Sequence, residues 1–473
     1  MATSRGLLAP LIAFLLLLLL TTPASALSAS GQRVLVVTSS SGEAAHYSAL
    51  SSHLEGRGFS VAHRTAQGGD AAQKLTEFDE RRFDHIVFLA DDVKKPSDDL
   101  SPQSLVEFNK AGGNIVFAYS PQRSDWLRDL AREFSLELAP SGQKLVDHFH
   151  PAKDGSIELR GTALVENNVV WDAETLQEVK RENAILLKDA SPHLVGNNPL
   201  AFPLLRPDST SYVGGEDGMP AWLGTERSLS LASAFQLRDS SARVAFVGSK
   251  HLLSDASLLS SRATSALIHS LTSWTFQERS VLRLERRSHY RVREGPADVR
   301  ESYEEPEEGG EAKIYRIKDN VRYSIDVAQH DPVRGWVPAP TNLDLQVSLN
   351  MIDPFITAKL VAEDASQFSS NAAQFPPPPQ QSNSTTRYST TLRLPDRLGV
   401  YTFRLNWFRH GWTYLDDVKD VAPIRAFNHD EGERFLPASW PYAAASFSTI
   451  VGFVVFVVLW LLGGDAEKGG KGE

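Results

Sequence analysis

Ala443 to Leu462, AAASFSTIVGFVVFVVLWLL, carries no charged residue over about 20 positions, the length that crosses a bilayer core. Apolar residues run round every side from Ile450 to Leu462, whereas a buried core helix keeps a polar stripe at helical period. The stretch 443–462 is therefore read as a single membrane anchor, with 463–473 as the tail beyond it. Trp440 and Tyr442 ahead of it and Trp460 near its end stand where interfacial aromatics stand. Ala445, Ser448 and Gly452 make its first half small, which either admits a neighbouring helix closely or is chance composition.

The other end fixes the expected topology. Residues 1–26 have a basic Arg5, an apolar run from Leu7 to Leu20, and Ala24-Ser25-Ala26 ahead of Leu27, the pattern of a secretory signal cut between Ala26 and Leu27. A signal followed by one late anchor makes a type I protein whose bulk lies in the secretory lumen. The chain has no cysteine, so no disulfide framework, thiol nucleophile or cysteine-ligated zinc is available to it. Its net charge of -10 speaks against nucleic acid or an anionic lipid surface as the main partner.

From Arg33 onward, short apolar runs alternate with amphipathic segments, the signature of an α/β fold with a mainly parallel sheet over 27–295. Strands are predicted at 34–38, 59–64, 85–90, 114–119 and 242–248. Helices are predicted at 44–54, 124–134 and 257–276, and another opens at Ser101-Pro102 and closes at Gly112-Gly113. The distance between the fourth and fifth strands implies one unit with a long insertion. Residues 296–312, acidic and rich in Gly and Pro, read as a linker. Between 313 and 442, apolar residues take alternate positions, as in Val321, Tyr323, Ile325 and Val327, or Tyr401, Phe403 and Leu405. That period of two predicts a β-sandwich-like, membrane-proximal domain.

Candidate chemistry is sparse. Asn383-Ser384-Thr385 is an N-glycosylation sequon in a low-complexity stretch, making Asn383 a possible glycan acceptor. Ser39-Ser40-Ser41-Gly42 follows the first strand without a G-x-G-x-x-G spacing and reads as a plain turn, while Val247-Gly248-Ser249-Lys250 is too short to be a P-loop. Asp147, His148 and His150 form the densest set of possible metal ligands, set against a satisfied polar corner. Asp91-Asp92, Asp98-Asp99 and Asp416-Asp417 read as solvated turn residues, not as a glycosidase pair. No catalytic, cofactor-binding or metal-binding residue is assigned. A type I cell-surface adhesion or receptor glycoprotein fits the topology as an alternative.

Seven ordered segments carry a family resemblance: VDHFH at 146–150, NNPLAFPLL leading to STSY at 209–212, ARVAFVGS from Ala242, WTFQERSVLRLERRSHYRV from Trp274, IDPF at 352–355, LPDRLGVYTFRLNWFRHGWTYL from Leu394, and ERFLPASWPYAAASFS entering the anchor. Across nearly the whole mature chain it resembles the 48 kDa subunit family of the eukaryotic oligosaccharyltransferase complex. The resemblance implies an endoplasmic reticulum membrane protein with a glutamine-amidotransferase or flavodoxin-like N-terminal fold. It implies a non-catalytic subunit needed for assembly of the complex that moves a preassembled glycan from dolichyl diphosphate to asparagine. It implies as partners the polytopic catalytic subunit and ribophorin-type subunits, with a possible share in holding the lipid-linked oligosaccharide. The runs 301–311 and 375–386 depart from the family pattern, and Lys468 and Lys471 do not make a dilysine retrieval signal.

Overall fold

The computed structural model describes residues 28–68, 74–77, 80–149, 157–160, 164, 169–182, 184–215, 220–222, 229–293, 302–304, 314–363, 384–429 and 439–463. Ala26, Leu27, His150 and Asn383 lie outside the described residues.

Seven strands make the first sheet: β1 Arg33–Thr38, β2 Ser60–Thr65, β3 His85–Phe88, β4 Asn114–Ala118, β5 Ala201–Leu205, β6 Ala232–Gln236 and β7 Arg243–Val247. Their order is β5-β6-β7-β4-β3-β1-β2. The five strands from β7 to β2 run parallel, and β6 and β5 are added antiparallel at one edge. Every residue of β3, β4 and β7 is buried, as is all of β1 after Arg33. Unbroken apolar runs are what strands covered on both faces require.

The covering helices explain both faces. On one, Leu50 and Leu54 of α1 (Ser48–Gly56) share a core with Val34, Val36, Val87 and Val116. On the other, Leu105 and Phe108 of α2 (Pro102–Lys110) and Leu127 and Leu130 of α3 (Asp125–Glu133) pack with Leu35, Val37, Ile86 and Phe117. The Ser101 side chain accepts a hydrogen bond from the Ser104 N–H at 3.3 Å, with Pro102 in the first turn, so α2 starts where predicted. A Cβ on Gly113 would sit 2.1 Å from the Phe108 ring, which is why the turn out of α2 needs glycine.

The insertion supplies α4 (Ala173–Glu182) and several short strands that form three small sheets. The helix predicted over 257–276 is two helices, α5 (Asp255–Ser260) and α6 (Arg262–Thr275). Ser261 between them is extended, its hydroxyl bonding Glu182 at 2.6 Å while accepting from the Thr264 N–H at 3.0 Å. A serine that caps the next helix cannot also continue the previous one.

Two further sheets share one core. One holds β8 (Leu282–Arg293), β9 (Asn320–Asp331) and β12 (Thr386–Arg393). The other holds β10 (Gln346–Asn350), β11 (Pro354–Lys359), β13 (Gly399–Trp407) and β14 (Leu415–Arg425). Val321, Tyr323, Ile325, Val327, Tyr401, Phe403 and Leu405 are all 0% exposed, as their alternation predicts. Strand β8 lies within the stretch read from sequence as α/β, yet it pairs along its length with β9. Within the acidic stretch, Ser302–Glu304 pairs with Arg291–Arg293. The last element, α7 (Trp440–Gly463, 24 residues), is, among the described residues, the one helix long and apolar enough to cross a membrane.

Candidate functional site

Open parallel sheets bind ligands beyond the carboxyl ends of their strands, where the strand order reverses. The chain passes from β1 to β2 on one side and then to β3 on the other, so that point lies between β1 and β3. Side chains from four loops meet there: Ser39 and Glu43 after β1, Asp91 and Asp92 after β3, Ser120 after β4, and Lys250 after β7.

The Lys250 ammonium lies 2.9 Å from Asp91 Oδ1 and 3.1 Å from Glu43 Oε1. Ser120 gives Asp91 Oδ2 its backbone N–H at 2.6 Å and its hydroxyl at 2.5 Å. Ser39 donates its N–H to Glu43 at 3.1 Å and its hydroxyl to Asp92. Burial alone would push Lys250 down, but the two carboxylates outweigh it and hold the ammonium above the ordinary lysine range. The crevice is thus filled by its own charges. Its lysine is locked as a cation and both serine hydroxyls are spent on carboxylates, which leaves neither an activated nucleophile nor a free base among these groups.

This corrects the sequence reading of Asp91. It is 0% exposed rather than a solvated turn residue, because Lys250 and Ser120 satisfy it inside the fold. Asp99 pairs with Arg64, and Asp416 with Arg238.

The second cluster is a corner. The strand Lys144–Val146 pairs antiparallel with Tyr212–Gly214, which sets VDHFH against STSY. Asp147 accepts from the Phe149 N–H at 2.8 Å, the Thr210 hydroxyl at 2.8 Å and the Ser211 hydroxyl at 3.2 Å. His148 Nε2 and the Tyr212 hydroxyl are 2.7 Å apart at the surface, beside Phe149, which is 75% exposed. The Asp147 carboxylate therefore ties two loops together. Among the described residues no three His, Asp or Glu side chains gather as metal ligands.

The third cluster, which the sequence reading missed, joins the parallel-sheet layer to the β-rich layer. Phe202 stacks on His410 with centroids 4.8 Å apart and planes 8° from parallel. The Trp274 indole N–H donates to Gly411 O at 2.8 Å, Gln236 Nε2 to Trp412 O at 2.9 Å, and the Thr413 N–H to Ser280 O at 3.1 Å. Arg243, fully buried, donates to the carbonyls of Trp274 (2.6 Å), Arg279 (2.8 Å) and Ser280 (2.8 Å), with its guanidinium 4.8 Å from the Trp274 ring centroid. A cation is well placed there, against the carbonyls that end α6. Four of the seven segments quoted above supply this seam. Beside it lies a cleft of about 340 Å³ lined by Asn197, Asn198, Pro199, Arg206 and His410, among others. The signal available in the sequence was aromatic density, in WFRHGWTYL and WTFQE, without a spacing to say what it packs against.

In α7, the Ser448 hydroxyl donates to Ala445 O at 2.8 Å, so its polarity is satisfied within the helix. Ala445, Ser448 and Gly452 fall at i, i+3 and i+7, on one helical face.

The family model described as OST48, N-terminal domain, matches residues 25–278, and that of the OST48 middle domain matches residues 300–464. The chain is 30% identical to the dolichyl-diphosphooligosaccharide–protein glycosyltransferase subunit wbp1 of Schizosaccharomyces pombe, over 88% of this chain and 89% of that protein. It is 28% identical to the 48 kDa subunit of the same enzyme from Caenorhabditis elegans, over 93% of each chain. With the 48 kDa subunit of Arabidopsis thaliana the identity is 25%, over 91% of this chain and 92% of that one. Among solved structures, a ThuA-like protein from Parabacteroides merdae aligns with 51% of this chain and 88% of its own at 13% identity and a TM-score of 0.29, too low to carry an argument.

Proposed function

The chain belongs to the OST48 family and is a subunit of the oligosaccharyltransferase complex of protein N-glycosylation, and we propose that it serves that complex as an assembly subunit with no catalytic group of its own. The observation that carries this reading is the switch-point crevice, closed by Lys250, Asp91 and Glu43. The order of the parallel strands, β2-β1-β3-β4-β7, supports a flavodoxin-like reading of the N-terminal layer. An amidotransferase would need a cysteine nucleophile, and the sequence has none. In this account the fold is kept for its surfaces, and the seam of Trp274, Arg243 and His410 makes its two layers one body.

The proposed setting is the endoplasmic reticulum membrane, with the bulk of the chain lumenal, cleavage between Ala26 and Leu27, and a glycan on Asn383. The proposed partners are the polytopic catalytic subunit and ribophorin-type subunits, with Ala445, Ser448 and Gly452 facing a neighbouring helix. The names of the relatives give the cell-surface receptor reading no support. The test is purification of the tagged chain from digitonin-solubilised membranes with mass spectrometry of what stays bound. Recovery with a polytopic glycosyltransferase and small membrane subunits is expected; recovery of the chain alone would remove the assembly role.

A further inference from the structure

One end of the β-rich layer is apolar on its outside. Met351 (49% exposed) and Ile352 (91%) come from the β10–β11 turn, Phe355 (48%) from β11, Leu398 (67%) from the residue before β13, Val400 (62%) from β13, and Val421 (51%) from β14. The register brings them together. Asn350 is opposite Thr402, Thr402 opposite Val421, and Val400 opposite Pro423. The Met351 side chain lies against Gly399, and the Phe355 ring meets that of Tyr401 edge-on at 6.1 Å. Six large apolar side chains at one end exceed the scattered exposure normal for a soluble surface.

That end is also where the chain leaves for the anchor. Strand β14 finishes at Arg425, with Ile424 opposite Gly399, and α7 starts at Trp440. The 14 residues 426–439 span at most about 50 Å when fully extended. A patch tethered so close to a bilayer meets it at high effective concentration, so shallow insertion of a few side chains is enough to hold it there. Its rim is suited to headgroups. Arg397 is exposed beside Leu398, and Lys318 pairs with Asp396 at 2.9 Å, so long cationic side chains flank the apolar centre.

We propose that this end of the β-rich layer, led by Ile352 and Leu398, rests in the interface of the phospholipid bilayer that α7 crosses. The contact sets the tilt of the lumenal part over the membrane instead of leaving it free on its tether. It depends on local surface, so the overall negative charge does not oppose it on a zwitterionic bilayer. The proposal rests on α7 spanning the membrane, which recovery of the chain in lipid nanodiscs checks separately.

The chain has no cysteine, so single nitroxide sites can be introduced without removing any. Ile352→Cys and Leu398→Cys report on the patch. Val333→Cys, 80% exposed in the turn that follows β9 at the far end of that strand, is the control. With the full chain in phosphatidylcholine nanodiscs, power-saturation electron paramagnetic resonance measures access of oxygen, which favours lipid, and of a water-soluble nickel chelate. The oxygen-to-nickel ratio at 352 and 398 is expected to be several-fold above that at 333. Equal ratios at all three sites would overturn the proposal. So would exclusion of both reagents at 352 and 398, which would put a protein surface, such as a second copy or another subunit, on the patch. Unchanged melting of the variants shows that the labels leave the fold intact.

Discussion

Replacing Lys250 by methionine tests the closed crevice most sharply. The substitution keeps the length and apolar stem of the side chain and removes the charge that faces Asp91 at 2.9 Å and Glu43 at 3.1 Å. Asp91 is 0% exposed and keeps only the two hydrogen bonds from Ser120. Breaking a fully buried pair from one side costs about 3–5 kcal/mol; since the Lys250 side chain is 18% exposed, about 2–3 kcal/mol is the expected loss here. Adding Asp91→Asn removes the stranded charge, so the double variant should be more stable than Lys250→Met alone. The assay is urea denaturation of the full chain at pH 7, in detergent and with a fluorescence readout, for the wild type, both single variants and the double variant. A Lys250→Met loss below about 0.5 kcal/mol, the range of ordinary surface changes, would mean that the ammonium does not hold the buried Asp91 charge in place, as would strictly additive losses.

Two other outcomes follow from the same structure. His85 and His193 are fully buried, and burial lowers their pKa to about 4 and about 3, with the Arg123 guanidinium adding to it at His193. The unfolded chain takes up these protons first, near pH 6.5, so the stability that neutral rings provide is present above pH 6.5 and lost as pH falls towards 4. Between pH 7.5 and 5 the loss is about 2 kcal/mol for each ring, read as a falling denaturation midpoint; a flat midpoint would mean that the rings protonate in place. Trp274→Phe at the seam leaves the Gly411 carbonyl without its donor, at a cost of about 1–3 kcal/mol. Calorimetry is expected to show one transition for residues 28–429 in the wild type and two in the variant, and an unsplit transition in the variant would mean that the seam does not couple the layers.

The features legible in the sequence were those carried by local pattern. The runs VLVVT, HIVF, NIVFA and RVAFV announce strands buried on both faces, and Ser101-Pro102 announces the start of α2. Alternation in β9 and β13 gave away the second core. The break at Ser261 was hidden because α5 and α6 are both helical and nearly contiguous, and the Ser261 hydroxyl that caps α6 through the Thr264 N–H is held by Glu182, 79 positions away. Strand β8 was hidden because its register shifts between Leu284 and Arg286, so that Arg287, His289 and Arg291, opposite the core residues Ile325, Tyr323 and Val321, take positions that a simple apolar alternation would fill. The crevice was illegible for a different reason. Glu43, Asp91 and Lys250 are spread over more than 200 positions, and nothing in the surroundings of Asp91-Asp92 tells a buried carboxylate from a solvated one until β3 and β7 are placed in one sheet.

A subunit that supports transfer without performing chemistry leaves its mark on the amount of complex and not on the rate of glycan transfer per assembled complex. Complex carrying Lys250→Met with Asp91→Asn, and complex carrying His148→Ala, should be purified and assayed with lipid-linked oligosaccharide and an acceptor peptide. The wild-type rate per complex is expected in both, with any deficit confined to the amount of complex recovered. Full recovery of complex with transfer reduced about tenfold, the equivalent of 1.4 kcal/mol of transition-state stabilisation, would contradict it.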